Sequence, residues 1–198
     1  MEVTNMSLPG KLFLVVGPSG SGKGSMIAKL KQRHPHYVFP LSCTTRDPRP
    51  GEKPGEVYNY ISKDEFVKGI EGGEFLEWAE VHQDHYYGIL KGPIFQALEE
   101  GKIIIREIDI QGFKSVSKIV PPENLVGVFI YVPDLNELKR RILMRGKLPD
   151  EEIEKRLISA QKEIDQSDIC KYKIDSIPGE IDRMANDMEV IIAKEITS

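Results

Sequence analysis

Near its amino terminus the chain has an apolar segment, a glycine-rich segment and a helical pattern, in that order. Residues 12–16 are continuously apolar, as expected for a β-strand that is buried on both faces. Residues 17–25 are mostly glycine and serine, and Met26, Ile27 and Leu30 then recur at helical spacing. A strand, a loop and a helix joined in this way favour an α/β fold.

Two later segments repeat the strand-then-helix pattern. Residues 103–105 and 126–132 are apolar runs of the buried-strand type, and a helical pattern follows each of them. Asp134 and Glu137 form a candidate capping pair for the helix after the second run. A closing amphipathic helix is predicted over residues 181–196. Repeated strand–helix alternation predicts a three-layer α/β/α core around a parallel sheet.

Residues 41–92 interrupt this alternation. Residues 58–61 and 74–81 alternate between apolar and polar side chains, which is typical of half-exposed strands. Ser62 and Glu65 have the spacing of a capping box ahead of a short helix. The pattern predicts a small mixed β insertion in the α/β core.

The glycine-rich segment carries the strongest functional signal. Residues 17–23 match the phosphate-binding P-loop spacing G-x-x-x-x-G-K, in which backbone N–H groups, the helix dipole and the lysine contact phosphates. The alternative is a glycine turn that binds no ligand. The motif places Ser or Thr directly after the lysine as a Mg²⁺ ligand, but Gly24 stands here. Ser25 could replace that hydroxyl, or water could complete the coordination.

Composition excludes several classes of protein. The 198 residues include 27 Lys and Arg against 31 Asp and Glu, a net charge of −4, which argues against binding of a nucleic-acid backbone. Cys43 and Cys170 form no CxxC pair, which argues against a disulfide scaffold or a thiolate zinc site. No apolar run approaches the ~20 residues of a membrane span, and no secretory signal is evident. We therefore expect a cytoplasmic protein with no membrane partner.

The segments beyond the glycine loop resemble those of the guanylate kinases. The resemblance runs in order over most of the chain, from about Lys11 to Ala160. It is carried by residues 42–52, Tyr58, residues 74–79, residues 86–88 and residues 107–112. It implies phosphoryl transfer from ATP to GMP, and to dGMP, with Mg²⁺ as the cofactor. It also implies a P-loop core in residues 1–40 and 93–198, a helical lid near 136–166 and a GMP-binding insertion in 41–92.

The same resemblance implies three groups of site residues. The catalytic group is Lys23, Arg46, Arg141 and Arg145. The ATP-binding group is Gly17, Pro18, Ser19, Gly20, Ser21, Gly22, Lys23, Gly24, Ser25 and Arg156. The GMP-binding group is Ser42, Arg46, Arg49, Tyr58, Glu77, Tyr87, Glu107 and Asp109. Ser25 or Asp109 is the candidate Mg²⁺ ligand, directly or through water. Solvated helix arginines paired with nearby glutamates are the alternative for the lid.

The chemistry of the acceptor residues fits these roles. Two guanidinium groups and two tyrosine hydroxyls would hold a doubly charged monophosphate, although a lone arginine pair is more often a solvated surface feature. The Glu77 carboxylate could accept both N1–H and the N2 amine of guanine, and Ser42 could donate to O6. An outward-facing carboxylate on an alternating strand is the alternative for Glu77. Asp109 could orient guanine or a magnesium-bound water. Ile89 stands where the family usually has Ser or Thr to help hold the base.

Two alternatives to an active guanylate kinase remain at this stage. One is a non-catalytic guanylate-kinase-like domain that binds a protein partner. The other is a related nucleoside monophosphate kinase with a relaxed base preference, which Gly24 and Ile89 suggest.

Overall fold

The computed structural model describes residues 8–81, 85–144 and 149–197. In chain order its elements are β1 (Lys11–Val16), α1 (Lys23–Arg33), β2 (Cys43–Thr44), β3 (Asn59–Tyr60), α2 (Lys63–Glu71), β4 (Phe75–Val81), β5 (His85–Leu90), α3 (Lys91–Glu99), β6 (Ile103–Glu107), α4 (Ile110–Val116), β7 (Leu125–Tyr131), α5 (Leu135–Met144), α6 (Asp150–Ile164), β8 (Tyr172–Asp175) and α7 (Ile181–Ile196).

A four-stranded parallel sheet in the order β6-β1-β7-β8 forms the centre of the molecule. Strand β1 is apolar from Leu12 to Val16 because both faces of the sheet are covered there. Leu12, Leu14 and Val16 pack in one cluster with residues of α3 and α4. Phe13 and Val15 pack in a second cluster with residues of α1 and α7. The predicted three-layer α/β/α core with a parallel sheet is therefore confirmed.

The three strands predicted from apolar runs are β1, β6 and β7. The closing amphipathic helix predicted over residues 181–196 is α7. Strand β8 was not predicted from the sequence. It has four residues, of which only Ile174 is fully buried, so its pattern is too short and too polar to stand out.

The second sheet has the order β3-β2-β5-β4 and contains both parallel and antiparallel pairs, as predicted for a mixed β insertion. The predicted capping box at the start of α2 is present, since Ser62 Oγ accepts from Glu65 N at 3.2 Å and Ser62 N donates to Glu65 Oε2 at 2.8 Å. The register between β4 and β5 shifts between Phe75 and Glu77. This shift accounts for the two consecutive apolar residues, Phe75 and Leu76, in an otherwise alternating strand.

Helices α5 and α6 pack together beside the glycine loop. They share a cluster that contains Leu138, Ile142 and Ala160. A Cβ atom on Gly20 would lie 3.2 Å from Leu138 and 3.4 Å from Ile142, so α5 rests directly on the loop. No helix in the described part of the chain is long and apolar enough to cross a membrane.

The capping pair predicted for α5 is formed only in part. Asp134 Oδ1 accepts from Asn136 N at 2.8 Å. The carboxylate of Glu137 instead receives hydrogen bonds from Arg140 and Arg141, because it faces the neighbouring turn of its own helix.

Candidate active site

The glycine loop joins the end of β1 to the start of α1. Gly20 and Gly22 adopt φ angles of 90° and 92°, a left-handed conformation that favours glycine. Lys23 Nζ donates to the carbonyl oxygens of Gly17 at 2.5 Å and Pro18 at 3.0 Å. The lysine therefore lies over the loop, at the positive end of the α1 dipole.

A cleft of about 580 Å³ extends from this loop to the second sheet. Its walls come from the loop, from β4 and β5, from the end of β6 and from α6. The lining residues are Gly17, Ser19, Gly20, Gly22, Lys23, Gly24, Ser42, Tyr58, Glu77, Ala79, Tyr87, Arg106, Glu107, Ile108, Asp109 and Glu163. Residues far apart in the sequence, from both predicted nucleotide groups, are thus brought together.

A smaller cleft of about 270 Å³ lies on the other side of the loop, against α5. Its lining residues are Gly20, Gly22, Ser25, Glu137, Arg140, Arg141, Met144, Ile177, Pro178, Gly179 and Ile181. Sequence reasoning assigned no role to residues 177–179, which follow β8 and line this cleft.

Five predicted site residues of the described chain line neither cleft. Ser21 is fully buried within the loop, and Pro18 lies beside it. Arg46 borders the larger cleft, whereas Arg49 is exposed. On α6, Arg156 Nε pairs with Glu152 Oε1 at 2.9 Å, which is the helix pairing considered as the alternative. Arg145 lies outside the described residues.

Glu77 is the most strongly perturbed carboxylate of the larger cleft. Burial, together with the charge of the neighbouring Asp109, raises its pKa from 4.5 to about 7, and the charge of Arg106 partly opposes this rise. A carboxyl group with this pKa is partly protonated and partly ionised near neutral pH. Because burial removes water from Glu77, its carboxylate is suited to accepting hydrogen bonds from a ligand instead.

Arg106 is the basic neighbour of Glu77 and Ser42. Its Nη2 donates to Ser42 Oγ at 2.5 Å and its Nη1 to the carbonyl oxygen of Pro40 at 3.1 Å. Its Nε is buried and has no hydrogen-bond partner among the described residues. Burial lowers the pKa of this guanidinium, while Glu107 and Glu77 counteract that effect.

Arg46 is held at the cleft edge by Glu52. Arg46 Nη2 lies 2.9 Å from Glu52 Oε2, and the same oxygen accepts from Arg49 N and from the hydroxyl of Tyr60, both at 2.8 Å. The Arg49 N–H, Tyr60 and Arg46 together lower the pKa of Glu52 to about 2. The Arg46 guanidinium lies 5.6 Å from the centre of the Tyr58 ring, so its charge is fixed beside the tyrosines of the cleft.

Arg141 connects α5 to the end of β8 through hydrogen bonds. Its Nε donates to Glu137 Oε1 at 2.6 Å, and its Nη1 donates to Ser176 Oγ at 2.7 Å. The Ser176 carbonyl oxygen also accepts from Nη2 at 3.2 Å. The guanidinium therefore has a defined position on the wall of the smaller cleft.

Known proteins are similar to this chain in sequence and in fold. The guanylate kinase family model matches residues 9–195. The chain belongs to the guanylate kinase family. Guanylate kinase of Helicobacter pylori is 47% identical over 163 residues, or 82% of this chain and 78% of that protein. Guanylate kinase of Carboxydothermus hydrogenoformans is 38% identical over 188 residues, or 94% and 89%. A crystal structure of guanylate kinase from Anaplasma phagocytophilum aligns with a TM-score of 0.72 and 26% identity, covering 97% of this chain and 88% of that one.

The P-loop motif places Ser or Thr directly after the lysine, and this guanylate kinase family member has Gly24 there. Gly24 is exposed, and a Cβ atom there would lie 3.9 Å from Glu107 Oε2. Ser25, the candidate replacement, lines the smaller cleft, whereas Asp109 lines the larger one. The two candidate magnesium ligands therefore lie on different sides of the loop.

The carboxylates beside Gly24 fit a magnesium ion that arrives with a nucleotide. The described residues contain no cluster of three or more His, Cys, Asp or Glu side chains that could hold a metal. In nucleotide sites Mg²⁺ usually has one or two protein carboxylates, the substrate phosphates and water as ligands. Glu107 and Asp109, which both line the larger cleft, supply such carboxylates.

Ile89, which stands where the family usually has Ser or Thr, lies directly opposite Glu77 in the β4–β5 ladder. Its side chain is 2% exposed and belongs to the apolar cluster around Leu76 and Ile94. The Ile89 side chain has no group that could form a hydrogen bond.

Two charged residues of the larger cleft were missed in the sequence. Arg106 follows three isoleucines in a buried strand, and a charge in that position is itself a signal, because buried arginines are rare without a partner. Glu163 comes from α6, and its Oε2 is buried without a hydrogen-bond partner among the described residues. Burial raises the pKa of Glu163, and Lys23 counteracts this. Nothing in the helical pattern of α6 distinguishes Glu163 from its exposed neighbours.

Proposed function

We propose that this protein transfers the γ-phosphoryl group of ATP to GMP, giving ADP and GDP, and that it accepts dGMP as well. The observation that carries the proposal is one continuous cleft that has the P-loop lysine at one end and the Glu77 carboxylate at the other. Membership of the guanylate kinase family supports the same reaction.

The donor nucleotide would bind on the glycine loop. The backbone N–H groups of residues 17–23 and the α1 dipole favour negatively charged phosphates. Lys23 would exchange its two loop carbonyl partners for phosphate oxygens. The adenine would lie in the smaller cleft, against Ile177, Pro178 and Ile181 and beside Arg141.

The acceptor monophosphate would bind between Arg46, Tyr58 and Tyr87. The rings of Tyr58 and Tyr87 lie 5.7 Å apart, centre to centre, and both line the larger cleft beside the Arg46 guanidinium. A guanidinium and two hydroxyls are strong donors to a phosphate dianion. Arg49 is exposed, with its backbone N–H bound to Glu52, and would contact the phosphate only after its side chain turns inwards.

The guanine would lie between Glu77 and Ser42. The ionised Glu77 carboxylate accepts from N1–H and from the N2 amine, whereas adenine offers no such pair of donors on that edge. Ser42 donates to O6. When the wrong base enters such a site, the buried polar groups of the site have no hydrogen-bond partners. The site therefore discriminates strongly against that base.

The chemistry requires positioning more than proton transfer. The attacking phosphate oxygen of GMP is already ionised near neutral pH, so the chain supplies no general base and no nucleophile. Lys23, the loop N–H groups, Arg46 and Arg141 hold two mutually repelling anions in line and stabilise the transferring group. Bound Mg²⁺, held through Glu107 and Asp109, would neutralise charge on the phosphates. Helices α5 and α6 form the wall that excludes water from the P-loop.

A coupled assay of ADP formation tests the proposal directly. With ATP and Mg²⁺ present, we expect turnover that depends on GMP, and a Lys23→Met variant should lose it. An absence of GMP-dependent turnover in the wild-type protein would reject the proposal and favour a non-catalytic, protein-binding domain.

The base preference is tested with GMP, dGMP, IMP and AMP as acceptors under the same conditions. GMP and dGMP should be used best, IMP less well because it lacks the N2 amine, and AMP least. Equal use of AMP and GMP would favour the alternative of a kinase with a relaxed base preference.

A further inference from the structure

The Glu52 carboxylate lies in the loop between β2 and β3 and gathers three hydrogen bonds on one oxygen. Its Oε2 accepts from Arg46 Nη2 at 2.9 Å, from Arg49 N at 2.8 Å and from the Tyr60 hydroxyl at 2.8 Å. Arg46 and Arg49 belong to the same loop as Glu52, whereas Tyr60 belongs to β3. The Tyr60 hydroxyl therefore attaches this loop carboxylate to the second sheet.

Tyr60 has a fixed position in that sheet. It pairs with Thr44 of β2, and Ile61 N donates to the Thr44 carbonyl oxygen at 3.0 Å. The Tyr60 ring lies 6.1 Å from the Tyr58 ring, centre to centre, at an interplanar angle of 68°. Because strand pairing fixes the backbone of Tyr60 and ring packing restricts its side chain, its hydroxyl is a fixed hydrogen-bond donor for Glu52.

Glu52 in turn holds Arg46. The side chains of Arg46 and Glu52 are 12% and 20% exposed, so water and salt screen this ion pair less than an exposed one. Arg46 Nη1 also donates to the Asp47 carbonyl oxygen at 2.7 Å, and the guanidinium lies 5.9 Å from the centre of the Tyr60 ring. A guanidinium has five N–H groups, so Arg46 can keep these contacts and still donate to a phosphate.

Tyr60 lies outside the cleft in which the acceptor is proposed to bind. The described lining of the larger cleft includes Tyr58 and Tyr87 but neither Glu52 nor Tyr60. The Arg46 guanidinium borders that cleft beside the Tyr58 ring. An effect of Tyr60 on the acceptor would therefore pass through Glu52 and Arg46.

We propose that Tyr60 is a positioning residue for the acceptor phosphate: its hydroxyl orients the Glu52 carboxylate, which holds the Arg46 guanidinium at the cleft edge before the nucleotide binds. The inference rests on the proposed function, in which Arg46 contacts the phosphate of GMP. A side chain that is ordered in advance loses little conformational entropy on binding. Ordering one long side chain at a binding site instead lowers affinity about 2- to 12-fold.

The affinities of a Tyr60→Phe variant for GMP and for guanosine, measured by isothermal titration calorimetry on the nucleotide-free protein, test the proposal. The variant keeps the ring and removes only the hydroxyl. Its dissociation constant for GMP should rise about 2- to 12-fold, because Arg46 is then ordered only as the phosphate binds. Its dissociation constant for guanosine, which has the same base and no phosphate, should not change. A merely structural role of the hydroxyl would weaken both ligands equally or neither.

An Arg46→Met background tests whether Tyr60 acts through Arg46. In that background, Tyr60→Phe should not weaken GMP binding any further. A further loss would mean that the hydroxyl contacts the phosphate directly, and it would overturn the positioning role. Tyr37→Phe removes the hydroxyl of a ring that stacks on His34 at 4.6 Å; it is the control for the loss of a hydroxyl and should change neither affinity.

Glu52→Gln carries the test if Tyr60→Phe does not fold. It should raise the dissociation constant for GMP about tenfold, with that for guanosine unchanged, since Arg46 loses its ionic partner. Glu56→Gln removes an exposed carboxylate of the same loop, which pairs with Lys53 at 3.6 Å; it is the matched control and should change neither. An equal loss for both ligands in Glu52→Gln, or a loss for neither, overturns the proposal.

The outcomes distinguish this inference from the proposed function. A wild-type protein without GMP-dependent turnover overturns both. A wild-type protein that phosphorylates GMP, with a Tyr60→Phe variant whose dissociation constants for GMP and guanosine are both unchanged or rise together, overturns the role of Tyr60 alone.

Discussion

Replacing Glu77 with glutamine should stabilise the ligand-free protein and at the same time weaken its use of GMP. The two effects have one physical origin. Glu77 is a carboxylate that burial and Asp109 make difficult to ionise, and in the proposed complex guanine would offset the cost of that ionisation by supplying two donors. Glutamine removes the charge, keeps the shape, and can accept only one of those hydrogen bonds.

The magnitude follows from the pKa. Raising the pKa of Glu77 from 4.5 to about 7 corresponds to about 3 kcal/mol, at about 1.4 kcal/mol per pKa unit. Between these two pH values the folded protein binds more protons than the unfolded chain, so stability falls as pH rises. The folded state thus loses this free energy progressively between about pH 4.5 and 7, and above pH 7 the loss is complete. Relative to wild type, Glu77→Gln should gain about 2 kcal/mol between pH 5 and pH 8.

The loss of GMP recognition is estimated from the contact itself. A bidentate contact to a base discriminates by about 1–3 kcal/mol, which is about 5- to 150-fold in KM. Since the carboxylate must be ionised to accept both hydrogen bonds, KM for GMP in the wild-type protein should rise as pH falls below about 7. In Glu77→Gln this dependence should be reduced to that of the GMP phosphate.

Urea unfolding without nucleotide at pH 5 and pH 8 measures the first effect, and steady-state kinetics over the same range measure the second. Glu80→Gln, an exposed carboxylate on the same strand, is the matched control and should change neither. If Glu77→Gln is destabilised at pH 8, the buried-carboxylate reasoning is refuted. If its KM for GMP equals that of the wild type, Glu77 does not contact the base.

Three further substitutions test the rest of the site. Lys23→Met should lower kcat about a hundredfold or more, with an unchanged circular dichroism spectrum, because the P-loop charge is lost; near wild-type turnover would exclude Lys23 from the reaction. Glu52→Gln should raise KM for GMP about tenfold and leave KM for ATP unchanged, since Arg46 loses its ionic partner; a change in KM for ATP would contradict this. Gly24→Ser should stabilise α1 by up to about 0.5 kcal/mol and lower the Mg²⁺ concentration that half-saturates activity, whereas Gly24→Ala should give the first effect without the second.

The parts of the fold that follow from local pattern were predictable. The apolar run of β1 requires a strand covered on both faces, and the glycine loop and helical spacing after it follow in the same few residues. The capping box of Ser62 and Glu65 is likewise a contact between neighbours in the sequence. Such signals need no knowledge of the rest of the chain.

The contacts of the charged residues were not predictable in this way. That Arg141 binds Ser176 and that Arg106 binds Ser42 depends on which elements pack together. That Glu52 binds Arg46, six residues away, depends on the path of the loop between β2 and β3. A pattern of arginines in a sequence cannot distinguish a side chain that lines a cleft from one that is solvated, as Arg156 illustrates by pairing with its own helix. Glu163 shows the same limit, since only tertiary packing buries its carboxylate.

The charges that line the larger cleft explain why burial, and not only geometry, matters to the reaction. Its described lining carries four carboxylates, on Glu77, Glu107, Asp109 and Glu163, against two cations, on Lys23 and Arg106. An acidic excess repels nucleotides, yet burial raises the pKa of Glu77 to about 7, so part of that charge is neutralised by protons near pH 7. Burial raises the pKa of Glu163 as well. In the proposed site, a guanine that offers two donors would make ionisation of Glu77 favourable again, whereas a base without them would leave the carboxylate protonated or unpaired. Under this proposal, selection of the base would therefore depend on the same desolvation that raises the pKa of Glu77.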